Sequence, residues 1–114
     1  MVRRGDVYYA RLNPIEGSEQ QGTRPVVVVS RDAINENSPV IIIVPVTTRK
    51  NRRKIYPSQV LLKAGDGELP MESVALGEQV RAINKTRLGE RIGRLSESAM
   101  SAISISLKIA LDLS

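Results

Sequence analysis

The strongest candidates for chemistry in this sequence are one glutamate, one arginine and a pair of threonines. The segment GSEQQGTRP contains Glu19 and Arg24, and Thr47 with Thr48 follows the apolar run VIIIVPV. A carboxylate can accept a proton, and a guanidinium presents a fork of donors that matches phosphate oxygens. A threonine hydroxyl can hydrogen-bond a phosphate. Together these groups suit the cleavage of RNA by its own 2′-hydroxyl.

That reaction makes three demands on a protein. The 2′-hydroxyl must lose a proton, the 5′ oxygen must gain one, and the extra negative charge on phosphorus must be stabilised. Arg24 suits the third demand, because arginine stays charged in proteins and is a poor proton donor. Glu19 is the candidate proton acceptor. Thr47 is the candidate residue to hold the scissile phosphate and to help on the leaving side.

The surroundings of these residues also allow a plainer interpretation. Ser18, Gln20 and Gln21 can hydrogen-bond a base or a phosphate, but the whole segment is also typical of a solvated loop with Arg24 in a surface ion pair. The threonines are equally compatible with ordinary strand preference. Position favours a site: if the two apolar strands pair antiparallel, the start of one lies beside the end of the next, and Arg24 comes near Thr47.

A dense run of cations follows the threonines directly. The segment RKNRRK holds five basic residues in six, namely Arg49, Lys50, Arg52, Arg53 and Lys54, and no acidic residue occurs from position 37 to position 65. Such runs are often solvated loops. Cations at this density also attract phosphates, so we predict that the run contacts RNA.

The composition excludes several classes of site. The chain has 114 residues, no Cys and no His, which removes thiolate nucleophiles, disulfides, Cys/His zinc sites and histidine-dependent nucleases. The carboxylates are scattered singly, so we expect no metal and no cofactor. Lys plus Arg number 17 and Asp plus Glu 12, a net charge of +5 that favours an anionic partner such as nucleic acid.

The hydrophobic pattern predicts a mainly β domain spanning residues 1–114, with a helix at its C-terminal end. The strands are expected at residues 6–12, 25–30, 40–47, 60–63, 73–83 and 91–95, with a polar link or helical turn at 32–37 and a turn at 64–70. The four valines of PVVVVS favour a strand buried on both faces, and the run at 40–47 is expected to be a second buried strand. Pro45 indicates a bulge or a sheet edge, and Gly77 a possible bulge. Short strands at close spacing with one closing helix indicate a small barrel plus helix.

The C-terminal segment has two apolar stripes at helical spacing. Ser96 is a suitable N-cap, and the stripes run through Met100, Ile103, Leu107 and Leu111 and through Ala102, Ile105, Ile109 and Leu113. This face is wider than one sheet surface usually needs. Either the helix is deeply buried in its own domain, or one stripe meets another subunit.

No segment of the sequence indicates a membrane or a secretory route. The N-terminus MVRRGDVYYARL lacks the apolar stretch of a signal peptide, and the apolar run 40–46 is far too short to cross a bilayer. We therefore expect a soluble, cytoplasmic protein that does not bind membranes.

Several motifs, in this order and spacing, resemble the MazF/PemK family of type II toxins. They are RGDVYYARLNP, GSEQQGTRPVVVVS, IIIVPVTT and ALGEQVRAINKTRL, and the resemblance covers nearly the whole chain. It implies an SH3-like barrel with a C-terminal helix, acting as a homodimer. It also implies metal-independent, sequence-specific cleavage of single-stranded mRNA, which leaves a 2′,3′-cyclic phosphate and a 5′-hydroxyl.

The same resemblance assigns the site residues. The essential arginine of the family falls on Arg24, its essential threonine on Thr47 and its loop glutamate on Glu19. Gln79 and Arg81, in the EQVR segment, are predicted to contact RNA together with the residues around Glu19 and Thr48. A cognate antitoxin is the implied protein partner. A gyrase-inhibiting toxin of the same barrel and a non-catalytic RNA-binding module remain alternatives.

Overall fold

The computed structural model describes residues 1–12, 22–51 and 54–114, which form seven β-strands and two α-helices. The strands are β1 (Asp6–Arg11), β2 (Thr23–Val28), β3 (Val40–Thr48), β4 (Gln59–Leu62), β5 (Ser73–Leu76), β6 (Arg81–Asn84) and β7 (Leu88–Arg94). The helices are α1 (Asp32–Asn37) and α2 (Glu97–Ala110). The predicted mainly β fold with a C-terminal helix is confirmed. Within the described residues, no helix is long and apolar enough to cross a membrane.

The strands form one antiparallel sheet in the order β4-β5-β3-β2-β1-β7, and β6 pairs with the first half of β3. Strand β3 is central, because β2 lies on one side of it and β6 and then β5 lie on the other. In the part of the chain that the structure describes, no pairing joins the two end strands β4 and β7. Closure into an SH3-like barrel therefore stays a prediction.

The single strand predicted for residues 73–83 is wrong. A short 3₁₀ turn, Gly77–Gln79, separates β5 from β6, and it begins at the glycine where the sequence indicated a bulge. A Cβ on Gly77 would lie 2.3 Å from the backbone oxygen of Ser58 and 2.9 Å from Oγ of Ser106. Only glycine allows the turn to pack this closely against the chain before β4 and against α2.

Pro45 marks neither a bulge nor a sheet edge. It pairs with Val26 on the β2 side. The backbone N–H and C=O of Ile42 face residues 29 and 30, which continue β2. Because these backbone groups alternate between the two sides of a strand, the Pro45 nitrogen faces the side of β3 away from β2. There the ladder to β6 ends at Ile43 and the ladder to β5 starts at Val46. The missing N–H of proline thus falls at a break in the hydrogen-bond ladder.

The valine run that includes β2 is buried on both faces, as predicted. The exposed fraction is 0% for Val26, Val27 and Val28 and 7% for Val29. Val27 and Val29 belong to a cluster that packs under α2, whereas Val26 and Val28 belong to a second cluster on the other face. Burial on both faces fixes the register of β2 and so the position of the residues that precede it.

Strand β3 is buried only in part, which corrects the prediction of a fully buried strand. Val40 and Ile42 are exposed, whereas Val44 and Val46 are buried in the cluster that includes Ile103 of α2. The helix covers this face only over the second half of β3. The exposed apolar residues of β3 therefore lie at the start of the strand, away from Thr47.

The C-terminal helix begins as predicted. Oγ of Ser96 accepts a hydrogen bond from the backbone N–H of Ala99 at 3.2 Å, and the Ser96 N–H and Oγ each donate to the Asp66 carboxylate at 2.8 Å. These bonds cap the helix and tie its start to the turn before Leu69.

Only one apolar stripe of α2 packs within the chain. Ile103 is fully buried, and Met100 and Leu107 are half-buried against the same cluster. Ile105 and Ile109 are 59% and 50% exposed, and Leu111 and Leu113 are exposed to a similar extent. Deep burial of the whole helix in its own domain is therefore wrong, and the second stripe is left open.

Candidate active site

Arg24 and Thr47 lie on neighbouring strands at the same end of the sheet. Strands β2 and β3 pair antiparallel with Val26 opposite Pro45, and continuing that register by two residues brings Arg24 opposite Thr47. Arg24 is also paired with Ala10 of β1, and Thr47 with a residue of β5. Both backbones are thus fixed by strand pairing, which confirms that the antiparallel arrangement brings the two residues together.

Both residues line a single pocket of about 180 Å³. The polar residues around it are Tyr9, Arg24, Thr47, Thr48 and Ser73, and the apolar ones are Pro25, Val46, Leu69, Pro70 and Met71. Arg24 and Thr48 are exposed and Thr47 is half-buried, so a ligand reaches these groups from solvent. A few polar groups that converge beside an apolar wall are typical of binding sites.

The described lining of the pocket carries a positive charge. Among the described residues that line it, Arg24 is the charged one and none is acidic. The adjacent apolar surface excludes water on one side, and a Coulomb interaction is stronger where less water screens it. The pocket therefore suits an anionic group attached to a less polar one, which is the chemistry of a nucleotide.

The start of the basic run lies directly beside the pocket. Arg49 and Lys50 form a 3₁₀ turn after β3, and the Arg49 guanidinium pairs with the Glu72 carboxylate at 3.2 Å. The Arg49 N–H also donates to the Glu72 backbone oxygen at 3.1 Å. Lys54 is exposed, and its Nζ lies 5.0 Å from the centroid of the Tyr56 ring. Glu72 therefore neutralises part of the positive charge of the basic run, and no sequence pattern marked it as a partner of Arg49.

Several predicted site residues lie outside the described residues. They are Glu19 with its neighbours Ser18 and Gln20, and Arg52 and Arg53 of the basic run. Their predicted roles stay predictions.

Gln79 and Arg81 lie away from this pocket. Gln79 lines a wider groove of about 660 Å³ together with Tyr56, Glu78 and Ile109. Arg81 begins β6 and pairs with Ile43. Neither residue lines the pocket of Arg24 and Thr47, so the predicted RNA-contacting residues fall into at least two regions of the surface.

Sequence reasoning missed the far wall of the pocket. Leu69 and Pro70 come from a segment predicted as a turn, and Met71 follows it. Oγ of Ser73 donates to the Met71 backbone oxygen at 2.8 Å, which holds this wall to the start of β5. Hydrophobic periodicity carries no signal for a turn that folds back over two distant strands. Tyr9 lies within the strand predicted at residues 6–12, and its position in the sequence does not indicate a site.

Among the residues that the structure describes, the titratable groups with shifted pKa values lie outside the pocket. Burial raises the pKa of Tyr8, and the nearby Asp6 carboxylate raises it further, against the opposing effect of Arg91. The backbone N–H of Arg4 donates to Asp32 at 2.7 Å and lowers the pKa of that carboxyl, with a further hydrogen bond from a side-chain amide. Among the described residues, no group of three or more potential metal ligands is found.

Comparison with known proteins gives consistent results. The family model described as "PemK-like, MazF-like toxin of type II toxin-antitoxin system" matches residues 3–111. A protein of Staphylococcus saprophyticus named Endoribonuclease MazF is 42% identical over 113 residues, which are 99% of this chain and 93% of the relative. The crystal structure of MazF from Deinococcus radiodurans has a TM-score of 0.81 at 27% identity, with 97% of this chain and 96% of that chain covered. A mycobacterial endoribonuclease, solved in complex with its cognate antitoxin, also has a TM-score of 0.81, at 26% identity and with 100% and 98% covered.

Proposed function

The chain belongs to the family of PemK-like and MazF-like toxins of type II toxin–antitoxin systems, and from this premise we propose that it is an endoribonuclease that reacts at the pocket of Arg24 and Thr47. The observation that carries the proposal is the strand register, which brings a guanidinium and two threonine hydroxyls to one pocket whose described lining has no carboxylate. The substrate is single-stranded mRNA, cut at short specific sequences. Sequence-specific recognition of RNA mostly uses single strands, whose bases are free to be read.

In the proposed reaction, the 2′ oxygen attacks the adjacent phosphorus and the bond from phosphorus to the 5′ oxygen breaks. The products are a 2′,3′-cyclic phosphate and a 5′-hydroxyl. Glu19 takes the proton from the 2′-hydroxyl, and a proton reaches the departing 5′ oxygen on the Thr47 side. The fork of Arg24 donates to the phosphate oxygens, on which negative charge builds up in the transition state. Because Arg24 supplies the charge stabilisation, the reaction needs no metal ion.

The RNA path extends from this pocket over the neighbouring cations. Thr48 lines the pocket beside Thr47, and Lys50 and Lys54, which follow in the sequence, are exposed. Together with Arg52 and Arg53 these cations are expected to bind phosphates of the RNA. Gln79 and Arg81 contact nucleotides farther along the strand. Contacts to phosphates position the RNA and carry no sequence information directly, whereas contacts to bases do.

The surface of α2 indicates a second copy of this chain as a partner, and the family indicates an antitoxin. The exposed apolar stripe of Ile105 and Ile109 supports a homodimer, since apolar side chains that are open in one chain become buried between two. The mycobacterial relative is described in complex with its cognate antitoxin, and we propose that this chain too is inhibited by an antitoxin that covers the RNA site.

Incubation of the purified protein with a long RNA in EDTA tests the proposal. Discrete fragments from the wild type, and none from Arg24→Ala, are the expected result. Arg31→Ala is the matched control, because Arg31 is also exposed but lies at the start of α1, outside the pocket. RNA that is shifted on a gel but intact would support a non-catalytic binding module instead. RNA that is neither cut nor bound would support a gyrase-inhibiting toxin.

A further inference from the structure

We infer that Tyr9, together with Pro70 and Met71 on the opposite wall, holds the nucleobase next to the scissile phosphate. This inference rests on the proposed function and deepens it, because it assigns the apolar part of the pocket, for which the cleavage chemistry has no use. Arg24 and the threonines account for the phosphate alone. The apolar wall suits a group of the same RNA that is covalently linked to that phosphate and can be buried away from water.

The size of the pocket limits its occupant to a small ring system. Its volume is about 180 Å³, below the roughly 300–1,000 Å³ of sites that take drug-sized ligands. A single base fits that description, whereas a whole nucleotide or a large side chain with its backbone does not. The sugar and the phosphate would then stay at the mouth, where Arg24 and Thr48 are exposed.

Tyr9 has the position of a stacking residue. It pairs across the strands with Pro25, which also lines the pocket, and it is 38% exposed. Its backbone is fixed in β1, and a tyrosine loses little conformational freedom when a ring packs against it. Stacking on an aromatic side chain is the usual means by which proteins hold unpaired RNA bases.

The other two tyrosines do not take this place. Tyr8 is half-buried against the second hydrophobic cluster. Tyr56 is 51% exposed but lies under Lys54 and lines the wider groove. With no Phe and no Trp in the chain, Tyr9 is the aromatic side chain at the described pocket.

The opposite wall supports the same occupant. Met71 is 52% exposed, and a flexible, polarizable thioether adapts to flat rings. Pro70 gives a rigid apolar surface beside it. About half of Met71 is thus open to solvent in the single chain, and a base that lies against Tyr9 would cover it.

The test measures whether the effect of Tyr9 depends on the base. The cut site is first mapped on a long RNA, and oligonucleotides with that site are made with an abasic ribose on one side of the cut or on the other. For the wild type, one of the two abasic substrates should raise KM by roughly 10- to 100-fold, with a smaller change in kcat. Tyr9→Leu should raise KM on the complete substrate by a similar factor, and the abasic ribose should then cost nothing further. Tyr9→Phe should behave as the wild type.

A second variant and a control keep the test decisive. Met71→Ser changes a more exposed residue on the opposite wall and should show the same loss of dependence on the base. Tyr56→Leu removes an exposed tyrosine outside the pocket and should keep the full abasic penalty. If the effects of Tyr9→Leu and of the abasic ribose simply multiply, Tyr9 does not hold that base, and the inference is overturned while the nuclease function stands. If the wild type does not cut RNA at all, both the function and the inference are overturned.

Discussion

Replacing Arg24 with alanine removes the charged side chain from the described lining of the pocket. The loss of one preorganised donor to a developing oxyanion costs about 100- to 1000-fold in rate, or about 2.7–4 kcal/mol. The upper part of that range is expected, since no other described residue that lines the pocket carries positive charge. The fold should survive, because Arg24 is exposed and substitutions at exposed positions usually change the free energy of unfolding by less than about 0.5 kcal/mol.

Lysine at this position separates charge from geometry. Arg24→Lys keeps a positive charge but loses the planar fork that binds two phosphate oxygens at once. We therefore expect Arg24→Lys to recover little of the lost rate. Recovery to within a few-fold of the wild type would show that a point charge is sufficient and that the fork has no special role.

The assay is single-turnover cleavage of an end-labelled oligonucleotide with the enzyme in excess, because this measures the chemical step apart from product release. Thermal unfolding of each variant, followed by circular dichroism, is the control for folding. The reasoning is refuted if Arg24→Ala is folded and cuts within a few-fold of the wild-type rate. A rate that falls together with the unfolding temperature would point to a structural role for Arg24.

Three further predictions concern the α2 surface, the basic run and the pH dependence of stability. Ile109→Asp should convert the dimer seen by light scattering into a monomer, with little change in unfolding temperature. Ser101→Asp, on the polar side of the helix, should leave the dimer intact. A wild-type protein that is monomeric at micromolar concentration would contradict the dimer. Neutralising Arg52, Arg53 and Lys54 together should weaken RNA binding. The slope of the logarithm of the binding constant against the logarithm of the salt concentration should become shallower by up to about 0.7 per lost phosphate contact. An unchanged slope would show that this run is a solvated loop that does not contact RNA. The pKa of Asp32 is lower in the folded state than in the unfolded chain, so its stabilising effect is present above its unfolded pKa and is lost as the pH falls through the folded value. Below about pH 4, the unfolding temperature should therefore fall less steeply for Asp32→Asn than for the wild type, and parallel curves would contradict that assignment.

The core of the candidate site could be predicted from the sequence because it depends on strand order alone. Strands that follow each other in the sequence are usually neighbours in the sheet. The link at residues 31–39 is shorter than the dozen or so residues that a parallel crossover needs, so an antiparallel pair is expected. The buried valines then fix the register that places Arg24 opposite Thr47. Hydrophobic periodicity and neighbour pairing together were sufficient for this part.

The far wall of the pocket could not be predicted, because it depends on how a turn folds back. Pro70 and Met71 reach the pocket through the path of the chain between β4 and β5, and that path is set by tertiary packing. The bond from Ser96 to Asp66 and the burial of Leu69 hold this segment, and neither leaves a pattern in the sequence. The same reason explains the break at Gly77, where the apolar pattern continues but the chain packs too closely against Ser58 and Ser106 to leave room for a side chain.

The exposed stripe of α2 shows a different limit. The sequence indicated two apolar stripes on this helix, and the structure shows that one of them is open in a single chain. Hydrophobicity predicts that such a stripe becomes buried, but it does not say whether its own domain or a partner buries it.

Analysis of the RNA ends formed in EDTA tests the central claim most directly. A polynucleotide kinase should label the downstream fragment without prior phosphatase treatment, because its end is a 5′-hydroxyl. Mild acid should convert the upstream end from a 2′,3′-cyclic phosphate to a monophosphate. Downstream fragments with a 5′-phosphate, or cleavage that occurs only with added Mg²⁺, would contradict a reaction in which the 2′-hydroxyl attacks and Arg24 stabilises the charge.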